Sequence, residues 1–189
     1  GTYNFYQKKS FNFAVQGGFE LPTGVQKEST FDNSTIIVGS GSYDPMVGIL
    51  VSKKWDKMTL NSNLLYKKTN TGFQNNNYGS LSTQSLTLSY RVKGETSICS
   101  IEKRDSKSNS NFGLNSNFGY YGEWLDKLTE DGMVDDNSGH YLGLVNLGTT
   151  ISYKKWAIPV TFSLPVINKM NGTQNDFGYR FRIGIIRAF

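Results

Sequence analysis

The chain has 189 residues, 37% hydrophobic and 19% charged, and 20 Lys and Arg against 15 Asp and Glu leave a formal charge of +5. Mean hydropathy is −0.43, and no apolar run approaches the roughly 18 residues that a membrane-crossing helix needs, so a helical membrane protein is excluded. The basic residues are scattered, which argues against a nucleic-acid partner, and a single cysteine (Cys99) with a single histidine (His140) excludes an intrachain disulfide and a zinc site. The length suits one domain over residues 1–189. A transmembrane β-barrel remains compatible, because its strands need only about 10 residues of alternating polarity. The composition leans that way, with Gly 20, Tyr 11, Phe 12 and Trp 3 against Pro 4. Gly1 is preceded by no leader, so any signal peptide is expected to have been removed.

In chain order, residues 10–21 alternate most clearly, with Phe11, Phe13, Val15, Phe19 and Leu21 on one side and Asn12, Ala14, Gln16, Gly18 and Glu20 on the other. A period of two is that of a strand whose faces meet different surroundings. Strands are expected next at 46–55 (Val47, Ile49 and Val51 outward), 58–68 (Met58, Leu60, Leu64, Tyr66) and 82–92 (Leu86, Leu88, Tyr90, Val92). A weaker segment at 96–104 carries Cys99 and Ile101 on its apolar side. Then come 111–124 (Phe112, Leu114, Phe118, Tyr120, Trp124), a short segment at 128–133, 141–153 (Val145, Leu147, Ile151, Tyr153) and 156–164 (Ile158, Val160, Phe162, Leu164). The last strand, 177–189, sets Phe177, Tyr179, Phe181, Ile183 and Ile185 against Arg180, Arg182, Gly184, Ile186 and Ala188. The count is about ten, and no stretch has helical periodicity.

Short charged connections at 7–10, 55–58, 92–95, 125–128 and 153–156 alternate with long polar ones at 22–45, 69–81, 105–110, 134–140 and 165–176. Strict alternation puts every short turn at one end of the sheet, as in an outer-membrane barrel with periplasmic turns and extracellular loops. The fold expected is therefore all-β: an antiparallel transmembrane barrel of about 10–12 strands in a bacterial outer membrane. A soluble barrel or sandwich is the rival, and it would turn the same aromatic residues into a core. Parity adds a constraint, because a short turn at 7–10 makes the residues before it the end of a downward strand, and a closed single-chain bacterial barrel needs an even number. Either residues 1–9 are a plug or tail and ten strands close alone, or a first strand precedes Gly1 and the total is twelve; the second is preferred.

Particular strings then stand out. "GGFELPTG", "GSGSYDPMVGILVSKKWDKMTLNSNLLYK" and "FSLPVINKMNGTQNDFGYRFRIGIIRAF" resemble the outer-membrane family named for the meta-pathway of phenol degradation, over roughly residues 15–68 and 140–189. The resemblance implies a barrel that passes small, often aromatic or hydrophobic, solutes. The terminal Phe189, with Phe181, Ile183 and Ile185, resembles the recognition motif of the barrel assembly machinery, although Arg187 stands at an outward position where an apolar residue is usual.

The lumen expected from alternation includes the charged residues Glu20, Lys54, Arg91, Glu102, Glu123, Arg180 and Arg182 among Asn12, Gln16, Ser52, Asn61, Asn63, Lys67, Thr87, Ser89, Asn115 and Asn117. These either pair and stiffen a narrow interior or form a polar constriction that selects solutes. Other sites are weaker. His140 beside Ser138 has the residue types of a hydrolase, yet neighbours in a loop seldom form a preorganised site. Asp135, Asn137 and Gly139 alternate like calcium ligands but lack the downstream bidentate carboxylate. "NST" at 33–35 and "NGT" at 171–173 match the glycosylation triplet, which is moot in a bacterial outer membrane. No enzyme, cofactor or metal is expected. The partners expected are outer-membrane lipid and lipopolysaccharide, the barrel assembly machinery and a small-molecule solute; the alternative function is a structural or adhesive barrel whose long loops bind outside partners.

Overall fold

A computed structural model describes residues 1–24, 26–28, 35–37, 39–94 and 112–187. Glu102, Phe189, Cys99 and the expected 96–104 strand lie outside these residues. The main sheet is built from β1 (Thr2–Lys8), β2 (Phe11–Glu20), β5 (Asp44–Lys54), β6 (Met58–Lys67), β7 (Leu81–Lys93), β8 (Phe112–Leu125), β11 (His140–Tyr153), β12 (Trp156–Met170), β13 (Arg180–Ile183) and β14 (Ile186–Arg187). Two small hairpins, β3 (Gln26–Glu28) with β4 (Thr35–Ile37) and β9 (Thr129–Glu130) with β10 (Met133–Val134), stand apart, as does a 3-10 turn at Phe73–Asn75.

Each strand of the main sheet pairs antiparallel with its neighbour in the chain order, so the ten strands form a simple up-and-down meander. Both β13 and β14 pair with β12, in one continuous register from Val160↔Ile183 to Trp156↔Arg187. They are therefore two halves of one strand, and the sheet has nine positions. The break has a chemical cause. Gly184 N–H donates to the Pro159 carbonyl at 3.0 Å, but Pro159 has no N–H to return the bond, and a strand residue's N–H and C=O point the same way.

Three expectations are revised. First, β7 pairs directly with β8 from Leu81↔Leu125 to Lys93↔Leu114. No strand lies between them, and β7 ends and β8 begins at the short-turn end although 18 residues separate them, so length and end do not strictly coincide. Second, 128–133 contributes the β9–β10 hairpin rather than a strand of the sheet. Asp131 and Gly132 both have positive φ, 48° and 79°, which suits the tight turn that an Asp-Gly pair makes, and residues 126–139 join β8 to β11 at the long-loop end. Third, residues 2–8 are an integral strand and not a plug or tail, with Gly1 N 2.6 Å from the Gly17 carbonyl. Among the described residues the edge strands do not pair with each other, so the finding is an all-β antiparallel sheet with open edges.

The register sorts the side chains into two faces. One row runs Asn12, Ser52, Asn61, Thr87, Gly119, Asn146, Ser163, Arg180 across eight strands. The adjacent row runs Phe11, Lys53, Leu60, Leu88, Phe118, Leu147, Phe162, Phe181. A cavity of about 330 Å³ on the polar side is lined by Thr2, Asn4, Asn12, Asn63 and Thr87 among others, from β1 through β7. The sheet thus curls around its polar face, which is the inner one. On the outer face Phe118 is 55% exposed, Leu147 51% and Ile183 66%, whereas among the described residues the buried apolar core is only Ala14, Leu142, Leu144 and Ala157. The large apolar side chains cover the outside instead of filling an interior.

Candidate functional site

The inner face is stitched by polar contacts along its length. Ser52 Oγ donates to Asn61 Oδ1 at 2.8 Å, Ser163 Oγ to Asn146 Oδ1 at 2.5 Å and Asn117 Nδ2 to Thr150 Oγ1 at 3.3 Å. Such ladders arise because opposed residues of an antiparallel pair, and diagonal ones such as Asn117 and Thr150, share a face and stand within side-chain reach. Every expected lumen residue within the described chain is on this face by register, including Lys54, Arg91 and Arg182. Arg91 reaches back to the carbonyl of Asp56 in the short turn, so its guanidinium belongs to the short-turn rim.

The densest polar cluster forms towards the long-loop end. Glu123 on β8 accepts a hydrogen bond from the Tyr121 hydroxyl two residues earlier, and its Oε1 lies 3.0 Å from His140 Nε2 on β11. Tyr121 and Glu123 share a face because they are two apart, while His140 arrives there because it pairs with Leu125. Arg180 and Arg182 are near enough to act electrostatically on Tyr121. Phe177, expected outward at the head of the last strand, instead precedes β13 and covers His140, with ring centroids 5.3 Å apart, and the Arg180 guanidinium lies 5.0 Å over the Phe177 ring. Phe177 is held there by Asn168, whose Nδ2 donates to the Phe177 carbonyl at 3.1 Å while its Oδ1 accepts the Phe177 N–H at 3.3 Å. Gln174 Nε2 donates to the Gly139 carbonyl at 2.8 Å and Asn171 Nδ2 to the Ser138 carbonyl at 2.9 Å, fastening the same loop to the residues just ahead of β11. Next to this cluster the inner face is apolar, with Leu65, Leu81, Leu125, Leu142 and Leu144 in register.

A second polar group borders a cavity of about 350 Å³ lined by Glu20, Ser40, Asp44, Lys67, Thr69 and Tyr78. Lys67 Nζ contacts Glu20 Oε2 at 2.9 Å. Asp44 is fully buried, and its Oδ1 accepts the Asn70 N–H at 2.9 Å. The Asp44 bond ties the loop at residues 68–80 to the start of β5, and the Lys67–Glu20 pair ties the end of β6 to the end of β2.

The weaker expected sites resolve into loop chemistry. Ser138 Oγ donates to the Asp135 carbonyl at 2.6 Å and accepts the Leu128 N–H at 2.7 Å, so it serves a turn while His140 faces Glu123. Asp135 Oδ1 accepts the Asn137 N–H at 2.9 Å, and Asn137 Oδ1 accepts the Thr173 N–H at 3.0 Å. Among the described residues no three His, Cys, Asp or Glu side chains gather as metal ligands. Phe181 and Ile183 are outward and exposed, Ile185 is exposed within the interruption opposite Ile158, and Arg187 lies 5.2 Å over the Trp156 ring at the rim. Reading the sequence missed Tyr121 and Asp44 as inward groups; for Tyr121 the cue was its spacing of two from Glu123.

No protein-family model matches this chain, and no curated protein matches it.

Proposed function

We propose that the chain forms a β-barrel of a bacterial outer membrane that passes or captures a small hydrophobic or aromatic solute without covalent chemistry. The observation that carries this reading is the sorting of the two faces, apolar and exposed outside, polar and hydrogen-bonded inside. Along β8 the outward residues run from Phe112 to Trp124. That is about 40 Å of strand at roughly 3.4 Å per residue, or about 30 Å of depth at a tilt of about 40°. Aromatic residues gather at both ends of this band: Tyr153, Trp156 and Phe112 at one, Tyr66, Trp124 and Tyr141 at the other. Interfacial girdles of that kind flank the apolar belt of membrane barrels.

The solute class follows from the inner face. A leucine patch beside the Tyr121–Glu123–His140 cluster suits a molecule with an apolar body and one or two polar atoms. The resemblance to the phenol meta-pathway family points the same way. In this reading Phe181, Ile183, Ile185 and Phe189 are read by the barrel assembly machinery, and the outer surface meets lipid and lipopolysaccharide. Planar-bilayer recording and liposome uptake of small aromatic solutes test the function. Flux or saturable uptake is expected. Neither flux nor solute binding, together with loop-dependent attachment to cell surfaces, would favour the adhesive barrel.

A further inference from the structure

The edges of the main sheet are β1 and the β13–β14 strand, and among the described residues β1 pairs only with β2 and β13–β14 only with β12. Successive strands of a meander reverse direction, and these two occupy its first and ninth positions. Both therefore run from the long-loop end to the short-turn end. Joining them directly would make a parallel pair in a sheet that is otherwise antiparallel throughout, with slanted and slightly weaker bonds. Leaving them apart in a bilayer would strand a row of backbone groups on each edge, at several kcal/mol per group. A strand running the other way would be antiparallel to both.

We infer that one further strand, running from the short-turn end to the long-loop end and supplied by the same polypeptide ahead of Gly1, fits between β1 and β13 and closes a ten-stranded barrel. The connectivity accommodates such a strand in cis. All neighbours in the main sheet are consecutive, and Gly1 already stands at the long-loop end against Gly17, where a strand arriving from the short-turn end would finish. A second copy in the same membrane orientation offers only edges of the same direction, so it repeats the parallel mismatch. The side chains of the added strand are specified as well. Outward it lies between Tyr3 on one side and Phe181 and Ile183 on the other, so those positions are apolar, a requirement that rests on the membrane reading. Inward it lies between Thr2 and Asn4 on β1 and Arg180 and Arg182 on β13. Neither arginine makes an ion pair among the described residues, so carboxylates belong opposite them.

The test fuses a designed strand of about ten residues ahead of Gly1 through a Gly/Ser loop, with Leu outward and Thr and two Glu inward. A fusion of the same composition in shuffled order is the control. Both are refolded in detergent micelles in a Cys99→Ser background. A cysteine at a central inward position of the added strand is paired in turn with Thr2→Cys, Asn4→Cys, Arg180→Cys and Arg182→Cys. Intramolecular disulfides to both edges and a compact, heat-modifiable band are expected for the designed strand and not for the shuffled one. The inference is overturned if chain 1–189 alone gives the compact band with a direct disulfide between Asn4→Cys and a β13 cysteine, if the disulfides link two molecules, or if the designed and shuffled fusions behave alike. Failure of the membrane reading shows separately, as a chain that stays folded and monomeric in detergent-free buffer.

Discussion

Replacing Phe118 by arginine probes the sorting of the two faces where it is most exposed to error. Phe118 is midway between Phe112 and Trp124 on β8, in the outward row between Leu88 and Leu147, and more than half of it is exposed. If that row lies at the centre of a bilayer, a guanidinium there is as far from either interface as the strand allows, and the cost is about 2–4 kcal/mol. The same substitution at Asn117, the adjacent inward residue beside Thr150, would on the proposed barrel keep the charge in a hydrated lumen and should change stability by under about 1 kcal/mol. At Tyr153, on the outward face by the short-turn rim where Arg187 already lies over Trp156, the cost should fall to about 0–1 kcal/mol. Guanidinium unfolding of the chain refolded into phospholipid vesicles, followed by tryptophan fluorescence, measures all three. The reasoning is refuted if Phe118→Arg and Asn117→Arg cost the same, or if Phe118→Arg is neutral and improves solubility without lipid, as expected for an exposed apolar residue facing water.

Phe177→Ala should open the mouth over His140 and raise single-channel conductance or solute uptake, because the ring closes off the cluster without bonding to a solute; unchanged flux would refute that role. Asn168→Ala removes both hydrogen bonds that hold Phe177 and should destabilise the loop by about 1–3 kcal/mol, read as faster proteolysis within residues 171–179. Pro159→Thr restores the missing donor opposite Gly184 and should add about 1 kcal/mol, with slower hydrogen exchange across β13 and β14. The Lys127 ammonium, hydrogen-bonded to the exposed Asp136 carboxylate, holds its pKa below the usual carboxylate range. Its contribution is present above the unfolded pKa and is lost as pH falls through the lowered folded one, so Lys127→Ala should return Asp136 to an ordinary titration by side-chain NMR.

The alternation was legible wherever a strand had one apolar and one polar face, since a period of two needs only local sequence. That is why Phe11 to Leu21 and Phe112 to Trp124 could be assigned to faces before any pairing was known. What depends on register was not legible. Glu123 and His140 meet only because β8 and β11 pair with Leu125 opposite His140, and His140 read alone looked like a loop residue beside Ser138. Short apolar alternations were also overread: the 128–133 segment spans an Asp-Gly turn whose two positive φ angles make a separate hairpin. Pro159 could be seen in the sequence, but its effect could not, because a missing donor matters only on the side where a neighbour waits for it.

The interruption opposite Pro159 fixes where this sheet comes apart. The final strand is fastened to β12 by four register pairs in one half and two in the other, against fourteen between β11 and β12. Local opening follows the least-bonded unit, so along this edge thermal fraying starts at the two-pair half, β14, and reaches β13 afterwards. A competing polypeptide that entered at this edge would displace that half first.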